Sequence, residues 1–165
     1  MLAPPRPEPS LPSADAVDAL LASARLLQRA EPGSDTERLL RGKNLGLVCD
    51  SESGFDAILF RDAAAALGAT VSYLRPELAP PGETAGSAPL RAARLLGRLY
   101  DGIECQGLAP ALVRQLAHEA GVPVFDGLAT TAHPSARLAL ELAGDDPAER
   151  KRRLIVQAVL LFELR

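Results

Sequence analysis

The chain has 165 residues, 47% of them hydrophobic and only 4% aromatic, with no Trp and one Met. That length suits one domain with an aliphatic core built from Ala and Leu. A net charge of -3, with both signs interspersed, argues against nucleic-acid or anionic-membrane partners.

Residues 1–12, MLAPPRPEPSLP, contain five prolines and read as a flexible tail. Ser13 is placed to cap a helix from Ala14 to about Arg29, with Val17, Leu20, Leu21, Ala24 and Leu27 on one face. Thr36 to Arg41 is a short turn. Leu45 to Cys49 is an apolar run suited to a buried strand. The polar turn Asp50-Ser51-Glu52-Ser53-Gly54 follows it. From Phe55 the period becomes helical, through Ile58, Leu59, Ala63 and Leu67, until Gly68 stops it. Thr70 to Leu74 is a second strand. Right-handed crossover makes these two strands parallel neighbours.

The Pro/Gly-rich stretch LAPPGETAGSAP reads as a loop, and a helix is predicted from Pro89 to about Leu99. Tyr100 to Gln106 is a third strand, Pro110 to Ala120 a helix ended by Gly121, and Val122 to Phe125 a fourth strand. His133-Pro134 leads into a helix expected from Ser135 to Ala143. Gly144-Asp-Asp-Pro breaks it, and Asp146-Pro147 is expected to cap a last helix, 147–164. Glu149 and Arg153 are spaced for an i,i+4 ion pair. The apolar second half of that helix, LIVQAVLLFEL, needs a surface to cover it: its own domain, or a second copy of the chain. The alternation predicts an α/β fold of three layers, doubly wound, with a four-stranded parallel sheet in the order 2-1-3-4. Residues 13–144 form the domain and residues 145–165 the helix that packs on it.

Chemistry-bearing residues are few. Cys49 and Cys105 both fall in predicted strands, where a buried small apolar role competes with a metal or redox one. Two distant histidines and two strand cysteines offer no metal-ligand spacing, so no metal and no cofactor is expected. No apolar run reaches the ~18 residues that cross a bilayer. A proline-rich start lacks the apolar core of a signal peptide, so the expected location is cytoplasmic. In a sheet of this kind ligands sit beyond the carboxyl ends of the strands, beside helix N-termini. The turn from Asp50 to Phe55 is therefore the place to look for phosphate chemistry.

The segments RGKNLGLVCDSESGFDAILFRDAAAALGATVSYL, ARLLGRLYDGIECQG and LAHEAGVPVFDGLATTAHPS resemble ornithine carbamoyltransferase, over about Arg41 to Arg137. They are similar to its carbamoyl-phosphate-binding domain. The tail AERKRRLIVQAVLLFEL resembles that family's last helix. No counterpart of the amino-acid-binding domain lies between them. The resemblance implies a phosphate site of Ser-Thr-Arg-Thr at the first strand's end, and here those positions are Ser53, Gly54, Phe55 and Asp56. It implies an Arg after the third strand, where Gln106 stands. It also implies His-Pro-x-Gln, of which His133-Pro134 remain and Ala136 replaces the Gln. Gly82 to Ala88 matches the family's inter-subunit loop without its usual polar residues.

Two absent guanidinium contacts, at about 1.5–3 kcal/mol per charged hydrogen bond, remove upwards of ~3 kcal/mol, a hundredfold or more in affinity. Asp56 adds like-charge repulsion toward a phosphate, although a carboxylate in a first helical turn also stabilises the helix. His133 reads either as a catalytic relic or as a helix-start residue kept for its geometry, and His118 as solvated. The implied function is a carbamoyltransferase-like protein without catalysis, acting by association: a homotrimer by analogy, or docking to a full-length carbamoyltransferase. A binding module for an amino acid or carbamoyl phosphate is the alternative, and half of a split transferase the third.

Overall fold

The computed structural model describes residues 13–31, 33–76 and 88–165. The proline-rich 1–12 segment and most of the 77–88 loop lie outside that set. Five helices, α1 (Ala14–Arg29), α2 (Phe55–Ala65), α3 (Ala88–Leu99), α4 (Pro110–Ala120) and α5 (Ala148–Leu164), surround four strands. The strands are β1 (Asn44–Val48), β2 (Thr70–Leu74), β3 (Gly102–Cys105) and β4 (Val124–Asp126). They form one sheet in the order β2-β1-β3-β4, and every adjacent pair is parallel. The predicted order is the observed one.

Each face of the sheet has its own core. On one side Leu45, Leu47 and Cys49 pack with Phe60 of α2 and Val156, Leu160 and Leu164 of α5. On the other, Val48, Ile103 and Cys105 pack with Ala93 and Leu96 of α3 and Val113 and Leu116 of α4. The two cysteines thus lie on opposite faces of the sheet, both buried as free thiols. A third cluster joins α1 to α5 through Leu20, Leu21, Ala24, Leu154, Ile155 and Ala158. Most of the apolar half of α5, exposed Phe162 excepted, is consequently spent within its own domain.

Local signals account for the element ends. Ser13 Oγ accepts from the Ala16 amide at 3.4 Å, an N-cap. Gly68 and Gly121 hold φ of 86° and 70° past the ends of α2 and α4, left-handed backbone that glycine adopts without cost.

Four expectations need correction. The third and fourth strands are shorter than predicted and begin two residues later, because Tyr100–Asp101 and Val122–Pro123 form the approach rather than the ladder. The segment after His133 is a 3-10 helix, Pro134–Glu141, in place of an α-helix over 135–143. Eight residues is long for that tighter form. Packing of Leu138, Ala139 and Leu142 against α1 and α5 sustains it. Asp146 does not cap α5. Pro147 stands at that position, with no side-chain cap, and Asp146 accepts from Gln28 Nε2 at 2.7 Å. The ion pair at the start of α5 joins Asp146 to Arg150 at 3.2 Å; Glu149 and Arg153 form none among the described residues. One turn earlier, the carboxylate is already held by Gln28, which fixes the pair.

Candidate functional site

The strand order reverses direction between β1 and β3, so the loops leaving those strands open the crevice of a doubly wound sheet. The β1 loop is built by short-range bonds. Cys49 Sγ donates to Ser51 O at 3.4 Å, and Gly54 N donates to Ser51 O at 3.3 Å. Tyr73 Oη reaches across from β2 to Asp50 O at 3.2 Å. Ser53 is exposed, its hydroxyl 3.0 Å from that of Ser51. Gly54 is the N-cap of α2 with no side chain to offer. Phe55, the first helical residue, is 59% exposed and does not fill the crevice. Asp56 lies in the first turn. These four residues form one short arc, as their adjacency requires.

Gln106 enters from β3. Its amide donates to Val48 O at 2.8 Å, which ties the two strand ends together across the switch point. Its side chain is turned inward, Nε2 donating to Glu104 Oε1 at 3.1 Å, and the residue is buried. Gln106 is therefore present at the crevice in sequence position but directed into the core.

The residue that sequence reasoning missed is Glu104. It is fully buried on the α2/α5 side of β3 and accepts three hydrogen bonds. Besides Gln106, the Leu128 amide donates to Oε2 at 3.1 Å and the Ala129 amide to Oε1 at 3.3 Å. Burial pushes its carboxyl up to about 8, against the pull of those three donors, and nearby Asp126 adds to the rise. The only hint in the sequence is a carboxylate inside a strand whose other members, Gly102, Ile103 and Cys105, are all apolar.

No hydrogen bond joins His133 to the Ser53–Asp56 arc or to Gln106 among the described residues. It is the N-cap of the 3-10 helix: Nδ1 accepts from the Ser135 amide at 3.2 Å and lies 2.8 Å from Ser135 Oγ. Burial lowers its pKa, Asp126 opposes the shift, and Arg152 reinforces it. The helix-start geometry read from the sequence is thus present. His118 is exposed, its Nδ1 3.1 Å from Glu119 Oε1. Burial raises the thiol pKa of both cysteines, to about 12 for Cys105, so neither is a poised nucleophile. Among the described residues no group of three potential ligands could hold a metal ion. No helix there is long and apolar enough to cross a membrane.

A parallel β2-β1-β3-β4 sheet wrapped on both faces, with its crevice between the β1 and β3 loops, is an α/β domain similar in fold to the carbamoyltransferases. Its solved structural neighbours are carbamoyltransferases. Within that class the chain is similar to a part of ornithine carbamoyltransferase. It is 42% identical over 121 residues to the catabolic enzyme of Burkholderia mallei, covering 73% of this chain and 35% of the relative. The ornithine carbamoyltransferase of Pyrococcus furiosus superposes with a TM-score of 0.64 at 29% identity, over 78% of this chain and 41% of that one. An N-acetyl-L-ornithine transcarbamylase variant, complexed with carbamyl phosphate and N-succinyl-L-norvaline, gives 0.60 at 26% identity, over 78% and 43%. The chain spans about 35–41% of the length of the curated relatives it matches. No family model matches it.

Proposed function

We propose that this chain is a carbamoyltransferase-like protein that does not carry out carbamoyl transfer and works by association, with copies of itself or with a full-length transferase. The observation that carries this reading is the fate of Gln106. At the position where the resemblance implies a guanidinium facing the carbamoyl group, a neutral amide is turned inward and bonded to Glu104. Phe55 and Asp56 occupy the matching phosphate positions at the N-terminus of α2, one apolar and outward, the other negative. An anion there meets main-chain amides and one exposed serine, with no guanidinium from these positions. Arg75, just past β2, is on the far side of β1 from the switch point.

Association draws support from exposed apolar side chains. Leu95 and Leu99 stand one turn apart on α3, each 56% exposed. A homotrimer is the assembly implied by the family. The test is a pair of measurements on the whole chain. Calorimetry with carbamoyl phosphate at millimolar concentration should give no heat, and light scattering should find an oligomer. Micromolar binding of carbamoyl phosphate would overturn the loss of the anion site. A monomer at high protein concentration would overturn self-association.

A second reading, a small-molecule binding module, is favoured by the pairing of exposed Phe55 with Asp56 at the same helix start. That combination suits a neutral or cationic ligand, such as an amino acid, better than a phosphate. Heat from ornithine, arginine or citrulline, with none from carbamoyl phosphate, would select it.

A further inference from the structure

The segment that carries His133, residues 127–133, has no regular structure, yet its backbone polar groups are met from two sides. Below it lies Glu104, which accepts from the amides of Leu128 and Ala129. Above it lies Arg152 of α5, whose Nη2 donates to Ala129 O at 2.6 Å and to Thr130 O at 2.9 Å. The two side chains thus satisfy four main-chain polar groups within three consecutive residues, two donors and two acceptors. Such groups are expensive to leave unmet when buried. The remaining bonds run onward. Thr130 N and Oγ1 both donate to Gly127 O, at 2.8 and 2.7 Å, and His133 N donates to Thr130 O at 3.3 Å. Gly127 holds φ at 66°, and a Cβ there would press on the Thr130 side chain at 3.0 Å, so the turn admits little variation.

We infer that Glu104 and Arg152 are positioning residues, a two-sided clamp through which the C-terminal helix α5 sets the place of His133 at the edge of the crevice. Neither residue hydrogen-bonds the imidazole among the described residues, although the Arg152 charge is near enough to lower its pKa. Arg152 grips the Thr130 carbonyl that His133 N also uses, and Glu104 grips the two residues before it. Gln106 shares the same carboxyl, so Glu104 is bonded to both the β3 and the β4 loops. Displacing α5 would release the Ala129 and Thr130 carbonyls together. The assignment holds whether or not the crevice takes a ligand, so it stands or falls independently of the association reading above.

The experiment uses the full 165-residue chain and two readouts: amide hydrogen exchange, and the imidazole resonances of His133. Arg152→Met keeps the apolar stem and removes the donors. Exchange at residues 127–135 should rise about tenfold or more, the His133 resonances should move, and β1 and β3 should keep their protection. Arg152→Lys, which keeps the charge but not the fork, should restore part of both signals. Glu104→Gln should loosen the same segment from below, at the Leu128 and Ala129 amides first. Unchanged His133 resonances in Arg152→Met would overturn the clamp, as would a rise in exchange spread evenly over all strands. Should Glu104→Gln fail to fold, the arginine pair of variants still decides the question.

Discussion

At the scale of single residues, Glu104 dominates. Its carboxyl titrates at about 8 in the folded chain against an ordinary value of 4.5, because burial disfavours the charge. The native state therefore holds its proton more tightly than the unfolded chain does. The linked stability is fully present below the ordinary carboxylate value and is lost as pH rises through 8. His133 acts in the opposite sense, since burial lowers its pKa and its contribution is lost as pH falls below the usual imidazole value of 6.5. The window from about pH 6.5 to 8 thus isolates the carboxyl. The urea midpoint should fall across that window for the native chain and stay level for Glu104→Gln. The native loss should be about 1–2 kcal/mol over that window, at roughly 1.36 kcal/mol per pH unit while the carboxyl stays largely protonated. Equal native stability at both ends would mean that the three donors keep the carboxylate ionised. The same pocket makes a second prediction. Replacing Gly54, Phe55, Asp56 and Gln106 together by Thr, Arg, Thr and Arg puts back two guanidinium groups, worth upwards of ~3 kcal/mol on a phosphate. Calorimetry should then find carbamoyl phosphate binding at least about a hundredfold tighter than in the native chain. No gain would mean that the crevice differs from the family's in its backbone as well as its side chains.

Elements were the most legible scale, and the places where legibility failed share a cause. Ala14–Arg29 could be read in full because its cap, Ser13, and its apolar stripe are local features. The bounds of Thr70–Leu74 could be read because Gly68 stops the helix before it. The form of the segment after His133 could not, because α1 and α5 decide it from residues far away in sequence. Glu104 escaped for the same reason: its amide donors lie 24 and 25 residues downstream. A carboxylate in a strand cannot declare its burial until the neighbouring loop is in place. The contact between α3 and α4 gives a prediction of this kind. A Cβ on Gly97 would run into the Ala120 carbonyl, its carbon at 2.7 Å and the Cα at 3.1 Å, all backbone. Gly97→Ala ordinarily gains about 1 kcal/mol in helix propensity. Here the steric cost should win, and net destabilisation of about 1–3 kcal/mol should appear in denaturant melts. A stabilised variant would mean that α3 moves away from α4 without loss.

For the whole molecule the question is what remains uncovered once α5 has been used. Its buried face is shared among the sheet, α2 and α1, which leaves exposed Phe162 as the large apolar side chain of that helix outside this packing. The α3 face is available. Leu95 and Leu99 are exposed on that helix while Ala93 and Leu96 are buried, and neighbouring Arg94 is held by Glu119 at 3.0 Å. Apolar side chains on an outer face contribute little to folding, so changing them tests association with little effect on stability. Leu95→Asp combined with Leu99→Asp should leave the thermal midpoint nearly unchanged. It should also shift the mass found by light scattering from an oligomer to that of a single chain of 17.4 kDa. If the native chain assembles and the double variant assembles equally well, the contact lies elsewhere; exposed Phe55, Leu140 and Phe162 then become the residues to change. A drop in midpoint with no change in mass would assign the leucines to folding and remove α3 from the account of association.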